Sequence, residues 1–442
     1  MGFLQIIQIL LFLALVGTAG YIAYGKFKEI YDNINMGKPE VIDTTLGFRI
    51  KNMLLVAFGQ KKMFKLTFAA LLHLVIYVSF CITQIELIEI FLDGLTGSHR
   101  LLYHTFDGPV FQTIYLIVIN FIEFLSLLTF FVTIIFILRR TTFKIERFQK
   151  PELKGWPFRD ALIILGFELT LITFIFMMNG GVSALHIQEH GHGYGFILSG
   201  ALGNALSGLP TGLLAFIERV GWWGHLSMVL TFLVYLPYSK HLHVMLAFPN
   251  TFFTRPEPKG EIHNMPAIMN EVKSMIDPSF VVPATEGEVQ FGAKDVYDLS
   301  WKNLLDAYTC TECGRCTASC PANQTGKKLS PRKIMMDTRD RMEEISKGRK
   351  EHGPDFADNK TLLGDYITAE ELRACTTCNA CVEECPVNIS PLSIIEELRR
   401  NLMMEASDSP AEWNNIFANL ENNQAPWQFS PEDRLKWTEE LN

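Results

Sequence analysis

Five apolar runs dominate the first 250 residues of this 442-residue chain, at 3–25, 66–92, 110–138, 160–180 and 222–248. A helix needs about 20 consecutive apolar residues to cross the hydrocarbon core of a bilayer, so each run predicts a transmembrane span. The first run has no basic segment before it, is longer than the apolar stretch of a signal peptide and is followed by Lys26 and Lys28. Those features favour a retained span over a cleaved leader. Beyond residue 250 the pattern turns polar, acidic and helix-forming. Residues 1–250 read as a membrane domain, 251–300 as a linker, 301–405 as a water-soluble domain and 406–442 as a polar tail. Trp413, Phe417, Trp427, Phe429 and Trp437 are spaced through that tail.

Charge orients the bundle. Segment 26–65 carries eight Lys or Arg and 139–159 carries seven, whereas 93–109 and 181–221 carry one each, Arg100 and Arg219. Basic loops stay on the cytoplasmic side of a membrane. The N-terminus is therefore expected in the periplasm, with the chain crossing a bacterial inner membrane five times and everything after Lys240 in the cytoplasm. The net charge of -8, with no basic and aromatic-interleaved segment, argues against nucleic acid as a partner. Eight of the nine cysteines fall in two short motifs. That grouping points to metal or cluster binding in a reducing compartment, and away from disulfides.

The motifs are "CTECGRCTASCP", Cys310 to Pro321, and "CTTCNACVEECP", Cys375 to Pro386. Three thiolates at every third residue, then a fourth followed by Pro, form the bacterial ferredoxin pattern, in which the fourth Cys ligates the other cluster. One [4Fe–4S] cluster is expected on Cys310, Cys313, Cys316 and Cys385, the second on Cys375, Cys378, Cys381 and Cys320. Zinc takes separated Cys pairs or Cys with His, a different pattern. Each motif is followed by a Ser-Pro pair, Ser330-Pro331 and Ser390-Pro391, a cap residue and a first helical residue. Thr368 and Glu371 predict a capping box leading into Cys375. The fold class expected is α-helical, a five-helix transmembrane bundle followed by a helical ferredoxin-like domain binding two [4Fe–4S] clusters.

Ionisable groups inside a bilayer are costly and mark function by default. His73 on the second span lies eight residues from Lys65, roughly 12 Å along a helix and thus on the cytoplasmic side. His243, at the far end of the fifth run, has a comparable depth. Two imidazoles on facing helices suit a six-coordinate haem b; hydrogen-bonded helix packing is the plainer use of such residues. His225 lies 18 residues from His243, roughly 27 Å, and belongs to the other leaflet. A second haem there would need a loop histidine, His99, His104, His186 or His190, as its other ligand. Glu123 and Glu168 fall within the third and fourth spans and read either as proton carriers or as hydrogen-bonding partners of a neighbouring helix.

Five spans with inward-side histidines on the second and fifth resemble the membrane subunit of respiratory nitrate reductase. The stretch "YLPYSKHLHVM", Tyr235 to Met245, is similar to the end of the fifth helix in that group and in the membrane subunits of heterodisulfide reductases. The resemblance implies that His243 ligates haem, that Lys240 and His241 flank it, and that His225 matches the other fifth-helix ligand of two-haem members. Those members carry two histidines on the second helix, where this chain has His73 alone. From "WKNLLDAYTCTECGRC" to "ENNQAPWQFSPEDRLKW" the chain resembles the cluster-binding subunit of heterodisulfide reductase, and fused membrane proteins that link electron-transfer flavoprotein to menaquinone. In those fused proteins cysteine-rich CCG domains follow. No Cys follows Cys385 here, so a CCG-domain protein of the heterodisulfide reductase B or D type is expected on a separate polypeptide.

The resemblance implies a membrane-anchored electron-transfer subunit of a quinone-linked oxidoreductase. Electrons would pass between a cytoplasmic partner, a CCG-domain protein or electron-transfer flavoprotein, and the menaquinone pool, by way of two [4Fe–4S] clusters and haem b. Reverse flow from quinol to a disulfide or ferredoxin-type acceptor uses the same parts. A membrane scaffold or redox sensor with structural clusters is the alternative of a different class. Aromatics spaced through a polar tail are good interface anchors, so the tail is expected to dock the partner.

Overall fold

The computed structural model describes residues 2–105, 108–258, 260–283, 290–428 and 430–441. The membrane part contains α1 (Phe3–Ile34), α2 (Leu46–Met53), α3 (Thr67–Thr96), α4 (Leu101–Thr105), α5 (Pro109–Thr141), α6 (Trp156–His190), α7 (Leu198–Leu206), α8 (Thr211–Tyr235) and α9 (His243–Phe252). After α10 (Pro266–Ile276) comes a soluble domain built from α11 (Trp301–Thr309), α12 (Arg315–Ser319), α13 (Pro321–Gln324), α14 (Pro331–His352), α15 (Ala369–Arg373), α16 (Ala380–Glu384) and α17 (Pro391–Arg400), with α18 (Ala411–Asn423) in the tail. No β-strand occurs among the described residues.

Five helices are long and apolar enough to cross a membrane. Their outward faces carry exposed Phe3, Leu10, Ile117, Phe121, Phe131 and Phe216. Water would not tolerate so much contiguous apolar surface, but lipid does. Lipid gives helices no hydrophobic reason to associate, so they rely on close packing at small residues. The fourth and fifth spans do this with glycine: a Cβ on Gly221 would overlap the backbone of Met178, and one on Gly181 would overlap that of Glu218.

The fifth span differs from the expected 222–248. It begins at Thr211, and α8 ends at Tyr235. Pro237 has no N–H to continue the ladder, and two 3-10 turns, Leu236–Tyr238 and Lys240–Leu242, follow. His243 is therefore the first residue of a separate short helix, not the last turn of the span.

The soluble domain begins its core before residue 301, with Ala293, Val296 and Leu299 fully buried beside Leu304, Ile334, Ile394 and Leu398. The expected caps are present. Ser330 accepts from the Lys333 amide, Ser390 from the Ser393 amide, and Thr368 and Glu371 form the capping box. The domain is seated directly on the bundle. Ile30 and Leu242 from the membrane part join its core. Asn33 donates to the Tyr308 hydroxyl at 2.8 Å, and Lys26 pairs with Glu343 at 2.6 Å. Arg255 pairs with Glu40 at 2.6 Å and also donates to Asn303 at 2.6 Å.

Candidate redox site

The two cysteine loops share one backbone design. Glu312 (φ 54°) and Gly314 (φ 71°) flank Cys313, and Thr377 (φ 53°) and Asn379 (φ 60°) flank Cys378. Left-handed φ on each side of the middle Cys turns the chain so that thiols and amides face one centre. For Thr377, a β-branched residue, that conformation is strained, and such strain persists where surrounding structure requires it. Gly314 has a second reason to be glycine: a Cβ there would overlap the Arg332 guanidinium.

The fourth cysteines cross over. One small pocket is lined by Cys375, Cys378 and Cys381 together with Cys320, and flanked by Leu329, Leu392 and Ile395. Cys385 instead lies in electrostatic range of Cys310, Cys313 and Cys316. Backbone amides point at sulfur, Thr377 N–H to Cys375 Sγ at 3.4 Å and Ile389 N–H to Cys385 Sγ at 3.3 Å. Burial pushes the Cys310 and Cys381 thiols up to about 12 and Cys385 to about 11, and neighbouring thiols push in the same direction. A multiply charged cation at the centre of each cage would favour the thiolate forms. Among the described residues no three His, Cys, Asp or Glu groups converge on a single-ion site. The four-cysteine donor sets and their N–H···S bonds fit a [4Fe–4S] cluster in each cage.

On the membrane side of the first cage, His73 and His243 face one another, with ring centroids 6.5 Å apart and planes tilted by 42°. Two metal–imidazole bonds of about 2 Å each, plus the half-widths of both rings, add to roughly the same span. Each Nδ1 is already engaged, His73 with Gln60 Oε1 at 3.1 Å and His243 with the Lys240 carbonyl at 3.0 Å. That fixes the ring orientations and frees both Nε2 atoms for a metal. The residues present fit a haem between them. His241 lies beside the pair, 5.4 Å from His243 between centroids, with its Nδ1 buried and unpartnered.

His225 is placed apart. Its Nδ1 bonds the Leu171 carbonyl at 3.1 Å, leaving Nε2 free, but the histidines that might oppose it are engaged elsewhere. His99 bonds Glu218 at 2.6 Å, His104 packs on Tyr103, and His186 stacks on His190 at 4.3 Å. Glu123 accepts from the Leu198 and Ser199 amides at 3.2 and 3.1 Å, capping the start of α7.

Sequence reasoning passed over three things. One is the Gln60 and Lys240 support of the two histidines, which depends on tertiary placement. Another is Glu312, which lies inside the first motif yet bonds Lys240 at 2.6 Å. The third is a buried ionic cluster toward the other end of the bundle. There Arg100 donates to Glu89 at 3.0 Å, to the Tyr115 hydroxyl at 2.9 Å and to Glu86 at 3.3 Å, and also bonds Asn179. Its signal was legible: Glu86, Glu89 and Asp93 recur at helical spacing within an apolar span.

Residues 306–389 match the family model described as a 4Fe-4S dicluster domain. The chain carries a 4Fe-4S dicluster domain. Over 99% of its length it is 28% identical to the probable iron-sulfur-binding oxidoreductase FadF of Bacillus subtilis, covering 62% of that protein. It is 27% identical to the EtfAB:quinone oxidoreductase of Syntrophomonas wolfei, over 67% of this chain and 43% of the relative. The chain thus spans about half the length of these curated relatives. A probable membrane-anchored ferredoxin of Chromohalobacter salexigens is 34% identical over 36% of the chain and 25% of the relative. The dicluster region is also 35% identical to one component of a CoB-CoM heterodisulfide reductase from Methanosarcina acetivorans, over 23% of the chain and 49% of that component. No solved structure matches. The relatives are iron–sulfur oxidoreductases or subunits of them, and the chain resembles them in both its membrane and dicluster parts.

Proposed function

We propose that this chain is the membrane-anchored electron-transfer subunit of a quinone-linked oxidoreductase, with its dicluster domain in the cytoplasm and its N-terminus in the periplasm of a bacterial inner membrane. When bound, two [4Fe–4S] clusters and one haem b supply one-electron carriers between a soluble partner and menaquinone. The observation that carries the reading is the link between the facing His73–His243 pair and the cage of Cys310, Cys313, Cys316 and Cys385, made through Lys240 and Glu312. The protein residues also give the centres an order. Each cage has two buried cysteines, Cys310 and Cys385 in the first and Cys320 and Cys381 in the second, but Cys378 of the second is the one exposed cysteine of the two motifs. The Cys375, Cys378, Cys381 and Cys320 cage is thus the one a partner can approach.

The partner proposed is a separate CCG-domain protein of the heterodisulfide reductase type, with electron-transfer flavoprotein as the donor behind it. Relatives named for EtfAB:quinone and heterodisulfide reductase activities support that choice. The same parts serve reverse flow from quinol. His225, with its free Nε2, is kept as the ligand of a second haem only if a count of two is found.

Purified protein in detergent should contain about eight non-haem irons, four per cluster. Its reduced-minus-oxidised spectrum should be that of a six-coordinate haem b, reoxidised by a menaquinone analogue. Full clusters with no haem band, or a haem band indifferent to quinone, would leave the scaffold reading standing in place of this one.

A further inference from the structure

Lys240 makes contacts in two directions. Its carbonyl accepts from Nδ1 of His243 at 3.0 Å, and its amide donates to Asp160 at 3.1 Å. Its ammonium donates to Glu312 at 2.6 Å and to the Pro157 carbonyl at 2.6 Å, with Asp160 at 3.8 Å. Glu312 lies between Cys310 and Cys313, and its other oxygen accepts from Arg339 at 2.9 Å. Lys240, Glu312 and Asp160 are each under 10% exposed, at 8%, 4% and 4%. Each buried charge in this group is held by neighbours of opposite sign, and Arg339 also pairs with the exposed Asp340 at 3.1 Å.

A buried ion pair is a poor stabiliser, because desolvation offsets most of its attraction; what such pairs supply is a fixed geometry. Here the geometry fixed is between two redox-bearing loops. From the His243 ring the path runs through one hydrogen bond to the Lys240 backbone, along its side chain, and through a second to a carboxylate next to Cys313. The corresponding position in the second motif is Thr377, which makes no such link to the membrane part among its bonds here.

We infer that Lys240 is the positioning residue that locks the Cys310 loop to the His243 turn, setting both the separation and the mutual polarisation of the first cluster and the haem. The inference rests on the proposed function and deepens it. It predicts that the two redox groups respond together to changes at Lys240 or Glu312, although neither residue is a ligand.

The test uses the full-length, cofactor-loaded protein with Lys240→Met, Glu312→Gln, the double variant and Lys240→Arg. Iron and haem content are measured first. Two readouts then follow. One is amide hydrogen exchange of residues 310–316 and 240–243; the other is the rate at which an electron delivered to the clusters by a photoreduced flavin reaches ferric haem. Lys240→Met and Glu312→Gln should each keep both cofactors, speed exchange in both segments and slow transfer severalfold, because the electron-transfer rate falls steeply as donor and acceptor move apart. The double variant should be no worse than either single one, and Lys240→Arg should recover part of the rate. If fully loaded Lys240→Met keeps wild-type exchange and rate, the inference is wrong. It is equally wrong if Glu312→Gln is silent, and that near-isosteric variant decides the matter should Lys240→Met not fold. Wild-type protein lacking haem or clusters would instead overturn the proposed function.

Discussion

The two cysteine loops have the same spacing, left-handed backbone at the same positions around the middle Cys and the same Ser-Pro helix following them, yet they meet the membrane part through different residues. In the first, the residues between the cysteines face the membrane part. Glu312 pairs with Lys240, and Arg315 donates to the Lys62 carbonyl at 3.2 Å and pairs with Glu384 at 3.4 Å. In the second, the matching positions are Thr377 and Ala380, Cys378 beside them is exposed, and the ties to the membrane part come instead from the segment before Cys385, where Lys62 donates to the Val382 carbonyl at 3.1 Å and Lys65 pairs with Glu383 at 2.5 Å. A cage is thus specified by the cysteines and the backbone turns, whereas the direction it faces is specified by the residues in between. On the proposed function one repeated unit serves as both the inner and the outer station of a relay, and the two differ at their non-ligand positions.

The harshest way to break the comparison is to remove a shared wall. Cys320→Ser should damage the cage of Cys375, Cys378 and Cys381 across the domain, and Cys385→Ser that of Cys310, Cys313 and Cys316. Each should lower the iron content by about four atoms. Electron paramagnetic resonance of the remaining cluster distinguishes them. Loss of the cluster nearest in sequence, with the distant one intact, would mean that the ligation is not crossed. Cys385→Ser should also reduce the thermal stability of the whole chain more than Cys378→Ser, since Cys385 is in the core that receives Ile30 and Leu242 and Cys378 is at the surface.

Next in size is the loss of haem with both clusters kept. His73→Ala or His243→Ala should abolish the b-type difference spectrum, whereas His241→Ala should leave most of it. Gln60→Leu, which removes only the support of His73 Nδ1, should weaken haem retention by roughly 10–100-fold, as second-layer changes do at other metal sites. A normal spectrum in the His73→Ala/His243→Ala double variant would remove the pair from consideration. For His225→Ala the haem count is the check: a fall from two to one would put a second haem in the opposite leaflet.

The periodicities legible in the sequence were the local ones. Apolar runs located all five spans, and the ferredoxin spacing marked both cages, because a helix must satisfy its own backbone in lipid and three of a cage's four cysteines come from one short loop. What sequence could not supply were facts made by neighbours. Depth along the spans brings His73 level with His243 when residues 222–248 form one rod. Pro237 breaks that rod, and the pairing survives because the chain turns back toward α3 within two short turns. Glu312 carries no signal in the sequence, because its role comes from Lys240 packed against it at 2.6 Å. Phe429, one of the tail aromatics, lies outside the described residues; the others are exposed, Trp413, Phe417, Trp427 and Trp437 among them.

Those aromatics test whether the outer station needs its own docking device. On α18, Trp413, Ile416, Phe417 and Leu420 repeat at helical spacing, all are exposed, and no residue of that helix is buried. Deleting residues 406–442 should leave haem and both clusters in place, while partner-dependent quinone reduction falls and the partner no longer co-purifies. Loss of clusters with the partner still bound would make the tail structural.

The smallest expected effect comes from the surface ties of the second motif. Lys65 pairs with Glu383 at 2.5 Å and Glu384 at 3.3 Å, and all three side chains are about a quarter to two-fifths exposed. Exposed pairs contribute only about 0–1 kcal/mol and are screened by salt. Lys65→Ala should therefore shift the thermal midpoint little, and the shift should shrink further as salt is raised. It should not touch transfer between the inner cluster and haem, since that path runs through Lys240. Arg315→Ala removes a buried guanidinium from the same neighbourhood and leaves Glu384 and the Lys62 carbonyl facing a void. Its cost should be clearly larger and insensitive to salt. Equal effects from the two variants would mean that both motifs meet the membrane part through a solvated surface, and that the inner and outer stations differ less than their environments imply.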